Sequence, residues 1–238
     1  MTQPWDNEAE MSILEHLEEL RARIFTSFIF FCLITCICFL YSKNISTLLQ
    51  QPAMGIKFLQ LAPGEYFFAS IKITLYTGCI ISSPFTFYQI ALFIIPGLTK
   101  KETFLLVPTL ASSVILFFVG ILFSYKILAP AALTFLMEYG ADIVEPIWSF
   151  DEYFNFILLL MFSTGIAFQI PIIQLILGIL EIFSSQQMLY FWKYIIFIAT
   201  IAGAIITPST DPLTQILMSL AIIILYFIGI IILKSINK

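Results

Sequence analysis

The sequence predicts an all-α, polytopic membrane protein. Three observations predict it. Of the residues, 60% are hydrophobic and only 11% charged, with a mean hydropathy of +1.00; a soluble domain carries about 25% charged residues. The apolar residues gather into six runs of helical length. The charges, with many of the prolines and glycines, gather between the runs, where the chain meets water and turns.

The elements follow in chain order. Residues 1–23 form a polar, acidic tail and a short helix. Ser12-Ile13-Leu14-Glu15 reads as a capping box, the hydroxyl bonding the N3 amide and the Glu reaching back. Ile13, Leu17, Leu20 and Ile24 then recur at helical spacing, with Glu15, Glu18 and Glu19 on the opposite side and Arg21 and Arg23 next. This predicts an amphipathic helix at the interface, running into the first span at 24–41. A loop at 43–65 carries Pro52, Gly55, Pro63 and Gly64. The second span, 66–95, would reach about 45 Å against a hydrocarbon core of about 30 Å, so it must tilt or bend, with Pro84 the place for a bend. Pro96-Gly97 turns the chain, and Thr99-Lys100-Lys101-Glu102 opens the third span, 103–128. The loop at 129–150 is acidic, with Glu138, Asp142 and Glu145, and has room for a short surface helix.

Ser149-Phe150-Asp151-Glu152 is a second capping box, ahead of the fourth span at 153–180. Residues 181–193 connect to the fifth span, 194–206. Even counted from Phe191 this span covers only roughly 24 Å, short of the core, and would thin the bilayer locally. A tight turn leads to Asp211-Pro212, an N-cap and N1 pair opening the sixth span at 213–233; 234–238 is a short tail. Six spans place both termini on one side, with Arg21, Arg23, Lys100, Lys101, Lys193, Lys234 and Lys238; Lys43, Lys57, Lys72 and Lys126 fall on or near the other. The bias predicts termini on the cytoplasmic or equivalent side.

Several function classes drop out. His16 is the only histidine, which removes most mechanisms that need a histidine base or a histidine-rich metal site. There is no nucleophile elbow, zincin motif or phosphate loop, so neither an enzyme nor a bound cofactor or metal is expected. No basic tract suggests nucleic acid. Cys32, Cys36, Cys38 and Cys79 lie inside apolar spans and read as small packing residues. The acidic N-terminal residues resemble neither a signal peptide nor a transit peptide. Without an internal repeat, a small secondary transporter lining a path with Lys72, Gln169 and Asp211 is the weaker alternative.

Some polar residues have two readings. Glu102 caps the third span or offers a carboxylate at a hairpin tip. Glu19 pairs with Arg23 at i,i+4 or faces a ligand. Gln169, an amide inside a span, needs a partner, either a neighbouring helix or another subunit. Gln215, one turn into the sixth span, reads as further satisfaction of free amides at that end. His16 reads as a surface residue of the amphipathic helix.

In this order, HLEELRARI, ASIKITLY, SPFTFYQIALFIIPGLTKKE, FQIPIIQLILG and ITPSTDPLTQ resemble the TatC family, the signal-recognition core of the twin-arginine (Sec-independent) protein translocase. The resemblance runs from about Met11 to Leu233, and FLQLAPGEYFF, SSQQM and STDPLTQ look most like its cyanobacterial and plastid branch. It implies a cup-shaped bundle of six kinked helices and no enzyme activity of its own. It implies binding of twin-arginine signal peptides of folded cargo by the positions matching Glu19, Glu102 and Phe93, with Arg21 beside them. Pro52 in the first outer loop, and Gln169, Asp211 and Gln215 toward partner helices, match functionally sensitive positions. The position matching Gln169 is often Glu in bacterial members, so any role needing ionisation is lost here. TatA- and TatB-type single-span subunits, self-association and the proton-motive force complete the implied system. The thylakoid membrane of a plastid, with the gene plastid-encoded, is the expected location; a bacterial plasma membrane is the alternative.

Overall fold

The computed structural model describes residues 13–53, 56–97, 99–139, 147–207 and 211–236; the side chains at 13 and 100–102 fall outside that description, as does Ser12 of the first predicted capping box. Five helical segments among the described residues are long and apolar enough to cross a membrane: Leu14–Leu40, Glu65–Gly97, Thr103–Tyr139, Phe150–Ile179 and Pro212–Ile236. A shorter apolar helix, Trp192–Ile206, stands beside them.

Helix α1 (Ile13–Leu40) is one unbroken helix in which the amphipathic segment runs straight into the first span. No Gly or Pro interrupts it, so nothing in the chain ends the amphipathic segment before the span begins. Leu14, Leu17 and Ile24 are exposed on its outer face, as lipid contact requires, while Glu19 and Arg23 turn toward the protein.

The predicted loop at 43–65 is largely ordered. It holds α2 (Ser42–Leu49), a 3-10 turn at Gln51–Ala53 and strand β1 (Lys57–Leu59). Gly64, at φ 84° where a side chain would be strained, leads into α3 (Glu65–Ile94). The helix continues through Pro84. Proline has no N–H for the Ile80 carbonyl, and the Ser83 hydroxyl donates to that carbonyl instead, at 2.7 Å.

A 3-10 turn, Ile95–Gly97, connects to α4 (Lys100–Phe123). One π-turn, Ser124–Leu128, then passes directly into α5 (Ala129–Tyr139), so the third span overruns its predicted end at 128. The π-turn sits just ahead of Pro130, which cannot make the regular backbone bond, and the Ala129 amide reaches back to Ser124. Asp142 and Glu145 lie outside the described residues. Strand β2 (Ile147–Ser149) pairs in parallel with β1, with Lys57 opposite Ile147 and Leu59 opposite Ser149. The two outer loops are thus joined.

The predicted fourth span is two helices, α6 (Phe150–Ala167) and α7 (Ile170–Ile179). Pro171 cannot bond the Ala167 carbonyl, and the helix breaks one turn before it. Ser149 caps α6 by accepting from the Glu152 amide at 3.4 Å. A residue from another helix joins this end: the Ser149 hydroxyl and the Asp151 amide both donate to Glu65, at 2.7 and 3.0 Å. The same carboxylate accepts from the Leu61 and Ala62 amides, so Glu65 ties the two outer loops to the start of α3. The 181–193 connection contains α8 (Ser185–Tyr190), opened by a complete Ser184–Gln187 capping box. Then come α9 (Trp192–Ile206) and α10 (Pro212–Ile236). At 15 residues α9 spans roughly 22 Å.

The core centres on α6, whose Phe154, Ile157, Leu158 and Leu160 are fully buried against α3, α4 and α9. Lipid is as apolar as these side chains, so close packing holds the helices together more than water exclusion does. Gly229 shows the consequence: a Cβ there would collide with Gln174 Oε1 and press on the Pro171 backbone. We predict that Gly229→Val separates α7 from α10 and costs about 1–3 kcal/mol. Gly97→Ala, whose added Cβ meets nothing within 4 Å, should leave stability unchanged. Thermal unfolding of both variants in detergent checks this; equal melting temperatures would contradict it.

Candidate functional site

The site is built where α1 runs antiparallel to α3. From one end of the seam to the other, Thr35 meets Gly78, Phe30 packs on Phe85 at 4.3 Å, Arg23 reaches Gln89, and His16 stacks on Phe93. The last two contacts lie where α3 ends and the Ile95–Gly97 turn leads into α4. The N-terminal HLEELR turn of α1 and the hairpin tip are therefore neighbours.

At that end, Arg23 Nη2 donates to Glu19 Oε1 at 3.1 Å, and Arg23 Nη1 donates to Gln89 Oε1 at 3.2 Å. The Glu19 side chain is 18% exposed and that of Arg23 34%. Glu19 Oε2 is buried without a hydrogen-bond partner among the described residues. The His16 ring lies nearly parallel to Phe93 at 4.3 Å and is half-buried, where a surface residue was expected. Arg21 is exposed. Glu102 falls in the first turn of α4, with its backbone at this same end; its side chain lies outside the described residues.

The other candidates lie elsewhere. Pro52 sits in the turn after α2, at the opposite end of α1, beside carbonyls of Leu48 and Leu49 that accept from the Tyr125 and Tyr153 hydroxyls. Gln169, between α6 and α7, accepts from the Ser113 hydroxyl at 2.6 Å and donates to the Ser113 carbonyl at 3.1 Å. Asp211 is 2% exposed and caps α10, accepting from the Thr214 amide at 2.8 Å and the Thr214 hydroxyl at 2.6 Å. Gln215 donates to the Thr200 carbonyl of α9 at a long 3.4 Å. Lys72 is paired with Asp151 and Asn155. The three residues of a hypothetical solute path are thus each engaged with a different partner: Lys72 with Asp151 and Asn155, Gln169 with Ser113, and Asp211 with Thr214. Among the described residues no cluster of His, Cys, Asp and Glu has the makings of a metal site, and all four cysteines are free.

Gln89 and the His16–Phe93 stack went unrecognised in the sequence. The signal for Gln89 was present: an amide within an apolar span needs a partner, the reasoning already applied to Gln169. It also stands one helical turn from Phe93, on the same face.

Comparison with known proteins gives consistent findings. The family described as Sec-independent protein translocase protein (TatC) matches residues 15–220. An uncharacterized tatC-like protein, ycf43, of Gracilaria tenuistipitata var. liui is 69% identical over 96% of this chain and 96% of its own length. The Sec-independent protein translocase protein TatC of Synechocystis is 54% identical over 94% of this chain and 88% of its own length. A crystal structure of the twin arginine translocase receptor TatC superimposes with a TM-score of 0.82 at 37% identity, covering 94% of this chain and all of that one.

The cap at Asp211 can be tested by itself. Asp211→Ala should destabilise the protein by about 1–2 kcal/mol, since it removes the partner of the N3 amide. Asp211→Asn, which keeps an acceptor, should cost less. Thermal unfolding of the two purified variants measures the difference, and equal losses would assign the effect to the charge and not to the cap.

Proposed function

The chain belongs to the TatC family of Sec-independent protein translocase proteins, and from that premise we propose that it is the signal-peptide receptor of its translocase. The family makes it a multi-pass membrane component of a protein translocase, and not an enzyme. The proposed receptor face is the end of the bundle that carries Glu19, Phe93 and the first turn of α4 with Glu102. One observation carries this reading: the α1–α3 seam brings Glu19 and Phe93, 74 positions apart, beside the same hairpin tip.

The chemistry suits two adjacent arginines. A guanidinium is a planar fork that can bond both oxygens of a carboxylate, which an ammonium cannot match in geometry. One such pair at roughly 4 Å and an effective dielectric of about 20 is worth about 4 kcal/mol before desolvation, and much less after it. Two pairs give binding that is useful yet reversible, as a receptor that must release cargo requires. Arg21, exposed on the same turn, lies where it can touch the peptide backbone or its flanking residues.

The same reading places TatA- and TatB-type single-span subunits, and further copies of this chain, around Gln169, Asp211 and Gln215, with transport driven by the proton-motive force. The termini face the cytoplasm or stroma, and the thylakoid membrane of a plastid is the proposed location; the pea relative, 49% identical, is described as chloroplastic. The short α9 locally thins the bilayer near the partner site.

Two experiments test the proposal. A photo-reactive twin-arginine signal peptide should label the unmodified chain in membranes, and label Glu19→Ala and Glu102→Ala about tenfold less, the effect of losing one charge-assisted pair. A twin-lysine peptide should label weakly. Equal labelling in every case would reject the site. Separately, lengthening α9 by one turn, about 5.4 Å, should impair transport while leaving peptide labelling intact; undiminished transport would remove bilayer thinning from the mechanism.

A further inference from the structure

Both described side chains of the proposed receptor patch are already occupied from within the chain. Arg23 holds one oxygen of Glu19, at 3.1 Å, and His16 covers the face of Phe93, at 4.3 Å. Both covering groups come from α1, one turn to either side of Glu19. Gln89 on α3 holds the other branch of the Arg23 guanidinium, which fixes that side chain across the seam.

We propose that Arg23 is an internal stand-in for the cargo guanidinium: the unliganded chain is self-paired, and a signal peptide binds by displacing Arg23 from Glu19. This rests on the receptor reading above and adds how the site discriminates. The pairing with Arg23 is incomplete. It satisfies Glu19 Oε1 and leaves Oε2 buried with no partner among the described residues. A buried carboxylate oxygen without a donor is costly to the folded state. Arg23 directs its other branch to Gln89, and in this arrangement it reaches only one of the two Glu19 oxygens.

An incoming arginine has no such tether and can present its fork to both oxygens, so the exchange gains the hydrogen bond that Arg23 leaves unmade. A lysine offers one nitrogen on a flexible stem. It must displace a guanidinium without gaining the bidentate geometry, so exchange favours arginine over lysine by more than charge alone would. Arg23 on this account is a positioning residue. It keeps Glu19 oriented while the site is empty, and it sets the threshold that a ligand must exceed.

The test uses the full chain in lipid nanodiscs and a fluorescent twin-arginine signal peptide, with Glu19→Gln as the reference for the receptor reading. Arg23→Gln should bind the peptide about fivefold tighter, as expected when a partly exposed competing ion pair is removed. Its preference for twin-arginine over twin-lysine should shrink. Arg23→Lys, which keeps the charge but loses the fork, should show a smaller gain. Arg23→Lys leaves the fold's charge balance in place, so its gain decides the matter if Arg23→Gln does not fold. A residue that only supported the fold would weaken binding on removal. If Glu19→Gln loses binding but the Arg23 variants bind no tighter than the unmodified chain, the stand-in role is wrong and the receptor site stands. If Glu19→Gln binds as well as the unmodified chain, the receptor site itself is wrong, and this inference goes with it.

Discussion

The α1–α3 seam is the contact on which the candidate site depends. α1 packs chiefly on α3 and turns most of its surface outward, so little else positions its N-terminal end. Near the far end of the seam Gly78 lets the helices approach until a Cβ would collide with Thr35. At the near end the spacing is held by aromatic and polar contacts, Phe30 on Phe85, His16 on Phe93 and Arg23 on Gln89. A shift of one residue along α1 would rotate Glu19 by about 100° away from α3. The identity of the site is therefore a matter of helix register, set mostly by residues that no ligand touches.

The bilayer imposes the second condition. Inside lipid every freed backbone group and every polar side chain must find its partner in the protein. Ser83 answers for the carbonyl that Pro84 leaves open, and Ser113 and Gln169 satisfy each other where α6 breaks from α7. Among the described residues the Thr35 and Ser124 hydroxyls and Gln174 go without such a partner, and Gln174 is the largest of these groups. Its amide is buried against Gly229 with neither atom hydrogen-bonded among the described residues. The close approach that Gly229 allows is thus used for packing, at the expense of an amide's hydrogen bonds.

The spans were legible because lipid imposes length and hydropathy on each one. The Asp211–Pro212 cap was legible because capping is local, involving a carboxylate and an amide three residues on. Joins between distant segments were not. Strands β1 and β2 are three residues each, too short to show a period of two, and their pairing is a contact across about 90 positions. Ser149 shows how distance defeats local logic: its hydroxyl was expected to share a box with Glu152, and it also donates to Glu65 of another helix. At the site, helical periodicity separated the apolar and acidic faces of the first helix, but a face meeting lipid and a face meeting protein look alike in sequence. Here Leu17 and Ile24 of the apolar stripe face outward, as do Glu15 and Glu18, while Glu19 and Arg23 are the charged residues that turn toward α3.

The pairing with Arg23 and Gln89 explains how the Glu19 carboxylate can sit half-buried on the seam. An isolated anion held 18% exposed against two helices would lose much of its hydration. Arg23 restores the charge balance from one turn away, and Gln89 prevents it from leaving for solvent. The arrangement is neutral overall, so a ligand that brings its own guanidinium exchanges one ion pair for another and does not create a pair from separated ions. Exchange of like for like has a small net free energy even when each pair is strong, because the desolvation of Glu19 has already been met in the empty state. Selectivity then comes from the difference between the two pairings, the one oxygen that Arg23 reaches and the two that a free fork can reach. A site of this kind can prefer arginine firmly and still bind it weakly enough to let it go.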